Sequence, residues 1–200
     1  MKSKLLIGLT LLTMVFASQA AMADCFIGGT ITASPNPDPL GPDWMYTMVI
    51  TWDTGNAYSL SHANLLLDIA GGTCLCQDFN SAMSWASPIG YSDGVPPVCT
   101  VEYDGFMECG GDPSIPGIDG ILLKFEPVEG ECEPGPTGTA TFVFYSNLGP
   151  YPIDEDILSV IDKAGLDSCT GSLSGDFPAM ACDPVGVEDA NWGSLKGLFR

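Results

Sequence analysis

WMYTMVITWDT, residues 44–54, is the stretch that most clearly indicates the fold class of this 200-residue chain. Large apolar side chains recur at every second position in it, namely Trp44, Tyr46, Met48, Ile50 and Trp52. A period of two residues is typical of a β-strand with one buried face, because successive side chains of a strand point to opposite sides. The stretch therefore predicts a strand with an aromatic-rich core face.

Similar short runs occur on both sides of this strand and are separated by turn residues. We predict further strands at residues 26–33, 57–69, 121–126, 139–146 and around 172–174. Asp104-Gly105 predicts a hairpin turn between two more strands, residues 98–103 and 106–109. The chain also contains 24 glycines and 16 prolines. Roughly seven or eight short strands predict a mainly β fold, a disulfide-stapled antiparallel β-sandwich of Ig-like or jelly-roll-like type, with a barrel as the alternative.

One segment, residues 153–164, has the pattern of a helix. Four aliphatic residues fall on one helical face, namely Ile153, Ile157, Leu158 and Ile161. Acidic residues crowd the first turn and Lys163 lies in the last, which complements a helix dipole, and Gly165 follows as a stop signal. We therefore predict one short helix that packs on the sheets.

The N-terminal residues have the composition of a secretory signal. Lys2 and Lys4 precede an apolar run over residues 5–17, and Ala21-Met22-Ala23 supplies the small residues of a cleavage site. The run is shorter than the roughly 20 apolar residues that a membrane span requires, and we expect no span elsewhere. We predict a signal peptide over residues 1–23 that is cleaved near Ala23, a β domain over residues 24–183, and a linker and tail over residues 184–200.

All eight cysteines follow the predicted cleavage site. They are Cys25, Cys74, Cys76, Cys99, Cys109, Cys132, Cys169 and Cys182. An even number in an exported chain favours disulfides, because exported thiols meet an oxidising compartment. The spacing leaves the pairing open. Cys169 with Cys182 is the preferred local pair, while Cys99 and Cys109 are expected to bridge each other or to reach the Cys-x-Cys pair.

The stretch from residue 56 to residue 76 contains His62, the only histidine of the chain, and the Cys-x-Cys pair. Nucleophilic catalysis needs a nucleophile, a base and an orienting group, and the chain has no Gly-x-Ser-x-Gly motif. A single residue between Cys74 and Cys76 is poor spacing for zinc. We predict that His62 is a structural hydrogen-bonding residue, with a catalytic base and a metal ligand as the alternatives.

The charge of the chain is strongly negative. Twenty-five acidic residues against six basic ones give a net charge of −19, which disfavours nucleic acid and anionic lipid as partners. No motif requires a cofactor. Structural calcium is the one ion that the carboxylates would suit, although no EF-hand loop occurs. The weak candidate ligands are Asp112, Asp119, Asp154 and Asp156, and the last two are also explained by the predicted helix N-terminus.

Trp85 and Tyr91 lie in a region of mixed composition, residues 77–97, where we predict no regular element. Tryptophan and tyrosine rings combine a large apolar face with a polar group. Both residues are therefore candidates for stacking on a sugar ligand. Packing within the core or a loop is the alternative for the two side chains.

The last fourteen residues, VEDANWGSLKGLFR, differ from the rest of the chain. A short amphipathic helix would bring their apolar and basic side chains together, and the ones of interest are Trp192, Leu195, Lys196, Phe199 and Arg200. One interpretation is a terminal helix folded onto the domain, and the other is a detachable sorting tail. The Trp-Gly-x-x-Lys-x-x-Phe-Arg ending resembles the C-terminal sorting tails of some bacterial surface proteins, which implies a surface location.

The body of the chain carries a second resemblance. The run over residues 46–76 with its Leu60-Ser61-His62 strand, and the cysteine-framed Cys169-Thr170-Gly171, are similar to a group of uncharacterised exported bacterial β-sandwich proteins. The resemblance implies a fold and an export route. It implies no activity, and it transfers no site residue to this chain.

These observations favour a secreted or cell-surface, non-catalytic protein with a structural or adhesive role. Its partner would be an extracellular protein or a glycan, and the oligomeric state is left open. One alternative is a carbohydrate-binding module that uses Trp85 and Tyr91. The other is a small secreted hydrolase with a pair of carboxylates, although no spacing singles out such a pair.

Overall fold

The computed structural model of this protein describes residues 24–69, 74–83, 85–95, 98–165 and 167–180. These residues form ten strands and one helix. In chain order the elements are β1 (Phe26–Pro35), β2 (Trp44–Asp53), β3 (Leu60–Leu66), α1 (Cys76–Met83), β4 (Ile89–Val95), β5 (Cys99–Cys109), β6 (Ile121–Pro127), β7 (Glu133–Pro134), β8 (Thr137–Ser146), β9 (Pro150–Asp162) and β10 (Ser168–Pro178). The predicted signal peptide and the predicted C-terminal tail lie outside the described residues.

Nine of these strands pair in a closed ring. Its order is β1–β2–β8–β4–β5–β6–β3–β9–β10, and β10 pairs again with β1, while the two-residue β7 is added to β4. The predicted β-sandwich is therefore wrong, and the alternative, a barrel, is the observed architecture. Short strands joined by turns are compatible with both folds. A barrel differs from a sandwich in having no free sheet edges. Here β1 and β10, which are far apart in the chain, pair with each other and so leave neither strand with a free edge.

The ring contains one parallel pair, β1 with β10, and its other pairs are antiparallel. Each antiparallel pair reverses the strand direction, and the direction must be restored after one circuit of the ring. The number of antiparallel pairs is therefore even, so the nine pairs of this ring must include an odd number of parallel pairs. Glycines allow the two backbones to approach at this pair. A Cβ atom at Gly171 would lie 1.7 Å from the carbonyl oxygen of Ile27, and one at Gly175 would lie 2.0 Å from that of Ile31.

Side chains fill the interior of the barrel. The predicted core face of residues 44–54 is confirmed, because Tyr46, Met48, Ile50 and Trp52 are each at most 1% exposed. The polar ends of the two large rings are satisfied. Trp52 Nε1 donates to the carbonyl oxygen of Gly135 at 3.2 Å, and the Tyr46 hydroxyl donates to that of Leu148 at 2.7 Å.

Alternation predicted β1, β2, β3, β6, β8 and β10 near their observed positions, but it missed α1 and β4. The predicted hairpin turn at Asp104-Gly105 is wrong, because β5 continues through it. Gly105 instead permits a close approach of the preceding loop. Its N–H donates to the carbonyl oxygen of Pro88 at 2.9 Å, and a Cβ atom at Gly105 would lie 2.4 Å from the Pro88 Cβ atom.

The predicted helix over residues 153–164 is also wrong, because these residues belong mainly to strand β9. From Ile157 to Asp162 every residue of β9 is buried. A strand that is covered on both sides loses the alternation of apolar and polar residues that identifies strands in a sequence. The acidic residues that suggested a helix start, Asp154 and Asp156, lie on the exposed first half of the strand.

Three disulfides fasten the barrel within the described residues, namely Cys25–Cys169, Cys76–Cys109 and Cys99–Cys132. The predicted pair of Cys169 with Cys182 is wrong. Because β10 lies beside β1, Cys169 is brought to Cys25, with their Cα atoms 5.7 Å apart. Cys182 itself lies outside the described residues.

Cys109 forms a disulfide with a member of the Cys-x-Cys pair, which is one of the two arrangements expected from the sequence. It joins the end of β5 to Cys76, the first residue of α1. Cys74 is disulfide-bonded as well. Cys99 does not pair with Cys109 but joins the start of β5 to Cys132, which lies in the loop before β7.

Candidate functional site

The loop between β5 and β6, residues 110–120, covers the outer side of strands β3 and β6. Leu123 and Phe125 of β6 belong to the barrel core, so Leu122 and Lys124 face outward. Leu122 is nevertheless 0% exposed and Lys124 8% exposed. The loop has its own apolar anchor in Ile115, which is 3% exposed. We call this segment the β5–β6 loop.

Asp112 connects the β5–β6 loop to the strands beneath it. Its Oδ2 atom lies 2.6 Å from His62 Nε2, accepts a hydrogen bond from Asn64 Nδ2 at 2.9 Å, and lies 3.5 Å from Lys124 Nζ. Its Oδ1 atom accepts from the backbone N–H and the hydroxyl of Ser114, at 2.9 and 2.6 Å. A carboxylate that is 3% exposed is thus surrounded by donors.

The surrounding donors keep this carboxylate ionised. Burial alone would raise the pKa of Asp112, but the hydrogen bonds from Ser114 and Asn64 outweigh burial and hold the pKa well below its usual range. Burial likewise opposes the charge on Lys124. Its pKa is nevertheless raised, because Glu126 at 3.1 Å and Asp112 both favour the ammonium form.

His62 is held in the neutral form. Burial and the nearby charge of Lys124 lower its pKa below the ordinary 6.5, and Asp112 opposes this only in part. Because an ionised carboxylate only accepts hydrogen bonds, Nε2 of His62 carries the proton toward Asp112. Nδ1 is then free to accept from the Ser61 hydroxyl at 3.2 Å.

Ser61, His62 and Asp112 therefore form a hydroxyl–imidazole–carboxylate chain, the residue types of a hydrolytic triad. Ser61 is half-buried, but the imidazole that joins it to the carboxylate is closed off from solvent. The imidazole is 5% exposed beneath the loop, and Asp112 and Ser114 both approach the same nitrogen, at 2.6 and 3.4 Å. The expected hydrogen bond of His62 to a neighbouring carboxylate is observed, while the purely structural role of this residue stays a prediction.

The candidate calcium ligands do not form one site. The oxygen atoms of Asp112 are occupied by protein donors, Asp119 is exposed on the same loop, and Asp154 and Asp156 are exposed on β9. Within the part of the chain that the structure describes, no group of three or more histidine, cysteine, aspartate or glutamate side chains is arranged to hold a metal ion.

Trp85 and Tyr91, by contrast, lie on the same outer side of strands β4 and β8. They are 42% and 47% exposed. Trp85 packs edge-on against Tyr145 of β8, with ring centroids 4.9 Å apart. Ile89 of β4 pairs with Val143 of β8, and Tyr91 is the next outward residue of β4. These five side chains form a continuous row that we call the aromatic stripe.

The stripe overlaps, at Val143 and Tyr145, a surface that carries almost no charge, which we call the neutral face. It consists of the outward residues of β1, β2 and β8, namely Phe26, Gly28, Thr30, Thr32, Ser34, Met45, Thr47, Val49, Thr51, Asp53, Thr137, Thr139, Thr141, Val143 and Tyr145. Strand pairing aligns them in rows, such as Thr30–Val49–Thr141. Of the described residues on the outer side of these three strands, Asp53 at the end of β2 is the one with a charge.

Carboxylates lie beyond the Tyr91 end of the stripe, at the exposed Asp93 of β4, and along its other side. Strand β5 pairs with β4 and places Glu102 opposite Tyr91 and Asp104 opposite Ile89. Both acidic residues are exposed. The stripe therefore has hydroxyl groups on one side and carboxylates on the other.

A shallow cavity of about 250 Å³ lies at the Trp85 end of the stripe. Its wall includes Trp85, Ser81, Asn147 and the 89%-exposed Leu40. Residue type alone identified Trp85 and Tyr91, the two ends of the stripe. The residues between them were not predicted, because alternation within a strand does not show which strands are neighbours.

No protein-family model, curated protein or solved structure matches this chain. The helical residues that the structure describes include no segment long and apolar enough to cross a bilayer.

Proposed function

We propose that this protein is an extracellular, non-catalytic barrel with an adhesive role, and that the neutral face is the surface by which it attaches. The observation that carries this proposal is the contrast between the net charge of −19 and three adjacent strands whose outer residues are almost all uncharged. A partner that covers this face desolvates hydroxyl and apolar groups and leaves the carboxylates in water. Covering the carboxylates would be far more costly.

Two further observations support the extracellular, non-catalytic part of the proposal. Disulfides persist in oxidising compartments, and three of them fasten the barrel. The chain's one imidazole, on His62, lies beneath the β5–β6 loop and joins that loop to the sheet. Export after cleavage near Ala23 belongs to the same proposal.

A charge placed on the neutral face tests the adhesive role. We expect the purified, disulfide-intact protein to bind at least one member of a printed panel of extracellular proteins and neutral polysaccharides. Val49 is 37% exposed at the centre of the face. Val49→Glu should weaken this binding at least about tenfold, because the new carboxylate would be desolvated in the complex.

The matched control is Val128→Glu, which places the same charge on a 42%-exposed valine of the loop before β7. It should leave binding unchanged. Absence of binding to every member of the panel, or equal losses in the two variants, would contradict the proposed function.

A further inference from the structure

The aromatic stripe runs along the strands rather than across them. Tyr91 lies opposite Thr141, and Tyr145 is four residues further along β8. Four residues of strand correspond to about 13 Å. Trp85 contacts Tyr145 and lines a cavity together with Asn147, which follows the end of β8. A surface of this length holds more than one six-membered ring, so it fits a chain of rings better than a single ring.

Trp85 is fixed in place before any ligand arrives. Tyr145 contacts one side of the indole. The loop before β2 approaches it so closely that a Cβ atom at Gly41 would lie 2.6 Å from the Trp85 Cε2 atom. An aromatic side chain that is already immobilised loses little conformational entropy on binding, and this preorganisation favours affinity.

The borders of the stripe supply hydrogen-bonding groups. Thr141 lies on one side, and Glu102 and Asp104 lie on the other. Carboxylates only accept hydrogen bonds, whereas hydroxyl groups both donate and accept. A ligand that presents apolar ring faces to the aromatic residues and hydroxyl groups at its edges satisfies both kinds of group.

The width and the charge of the stripe narrow the class of ligand further. A stable protein–protein interface buries about 800 Å² on each partner, which is far more than a row one side chain wide provides. The net charge of −19 repels anionic chains. We propose that the aromatic stripe binds an extended, neutral polysaccharide chain whose sugar rings stack on Trp85 and Tyr91, with Tyr145 holding the Trp85 indole in place. This inference rests on the proposed function and names its partner, because the stripe shares Val143 and Tyr145 with the neutral face.

The test uses the full disulfide-intact protein and the insoluble polysaccharides cellulose, chitin, mannan and β-1,3-glucan, with alginate as an anionic comparison. We expect binding to at least one neutral polymer, little change between low and high salt, and no binding to alginate. Trp85→Ala and Tyr91→Ala should each weaken binding about tenfold or more, as truncation of an aromatic contact at a binding surface does. Tyr91→Phe should retain binding, because stacking needs the ring and not the hydroxyl.

Tyr151→Ala is the matched control, since Tyr151 is a 59%-exposed tyrosine on β9, a strand that does not neighbour β4 or β8. It should leave binding unchanged. Neutral-polymer binding that survives both Trp85→Ala and Tyr91→Ala would overturn the inference. Binding only to an extracellular protein, lost in Val49→Glu, would overturn it while leaving the proposed function intact. Binding to nothing would overturn both.

Discussion

His62 is the residue through which stability should depend on pH just below neutrality. Its pKa is lowered in the folded protein, so the native imidazole stays neutral where the unfolded chain, with an ordinary pKa of 6.5, takes up a proton. The unfolded state then binds more protons, and the free energy of unfolding falls as the pH falls below about 6.5. We expect urea denaturation to show a constant contribution from His62 at pH 7–8 and a progressive loss toward pH 5.

His62→Gln removes the titrating group and keeps an amide that can donate toward Asp112. The variant should be less stable than the natural protein at pH 8, but its stability should change less between pH 7 and pH 5. Parallel losses in the two proteins over this interval would show that another group is responsible. Asp112, whose pKa is also lowered, contributes at lower pH, because its stabilisation is lost only as the pH falls below its ordinary 3.8.

The β5–β6 loop is held to strands β3 and β6 through the side chain of Asp112. Asp112→Ala would leave His62, Asn64 and Lys124 without their shared acceptor in a buried region. Breaking a buried ion pair by removing one partner typically costs about 3–5 kcal/mol. We expect the lower part of this range, because Lys124 keeps Glu126 at 3.1 Å. Chemical denaturation measures the loss, and hydrogen exchange should show faster exchange of the loop amides.

Asp119→Ala is the control for this prediction, since it removes the same charge from an exposed position of the same loop. It should change the free energy of unfolding by less than about 0.5 kcal/mol, as surface substitutions usually do. Similar effects of the two substitutions would mean that Asp112 does not hold the loop.

The elements also differ in how well local sequence predicts them. In β2 and β8, core residues alternate with exposed or half-exposed ones, and their limits were predicted within a few residues. β9 is buried on both sides over residues 157–162, so alternation is absent and helical spacing appears by coincidence. The function of Gly105 could not be predicted from local sequence either. This glycine allows Pro88 to approach the strand closely, and that contact does not depend on its neighbours in β5.

At the scale of the whole molecule, the Cys25–Cys169 disulfide fastens the β1–β10 pair that closes the barrel. The two cysteines are 144 residues apart, compared with 33 for Cys99 and Cys132. Replacing both Cys25 and Cys169 by serine should lower the free energy of unfolding by about 2–5 kcal/mol. Thermal or urea denaturation of the double variant measures the change.

The corresponding Cys99→Ser/Cys132→Ser variant is the comparison. Chain-entropy arguments assign the larger stabilisation to the disulfide that closes the longer loop. We therefore expect the smaller loss in the Cys99/Cys132 variant. A larger loss there would mean that the seam between β1 and β10 does not limit the stability of the barrel.

The amino-acid sequence by itself determined the predominance of strands, the core face of residues 44–54 and a hydrogen-bonding role for His62. These features follow from residue type and from spacing within one strand. Barrel closure, disulfide pairing and the course of β9 were decided only by the tertiary structure. The same holds for the aromatic stripe, because Trp85 and Tyr91 are joined through Tyr145, Val143 and Ile89 by the pairing of β4 with β8. Such pairing is a long-range choice of partner and register, and local periodicity does not encode it.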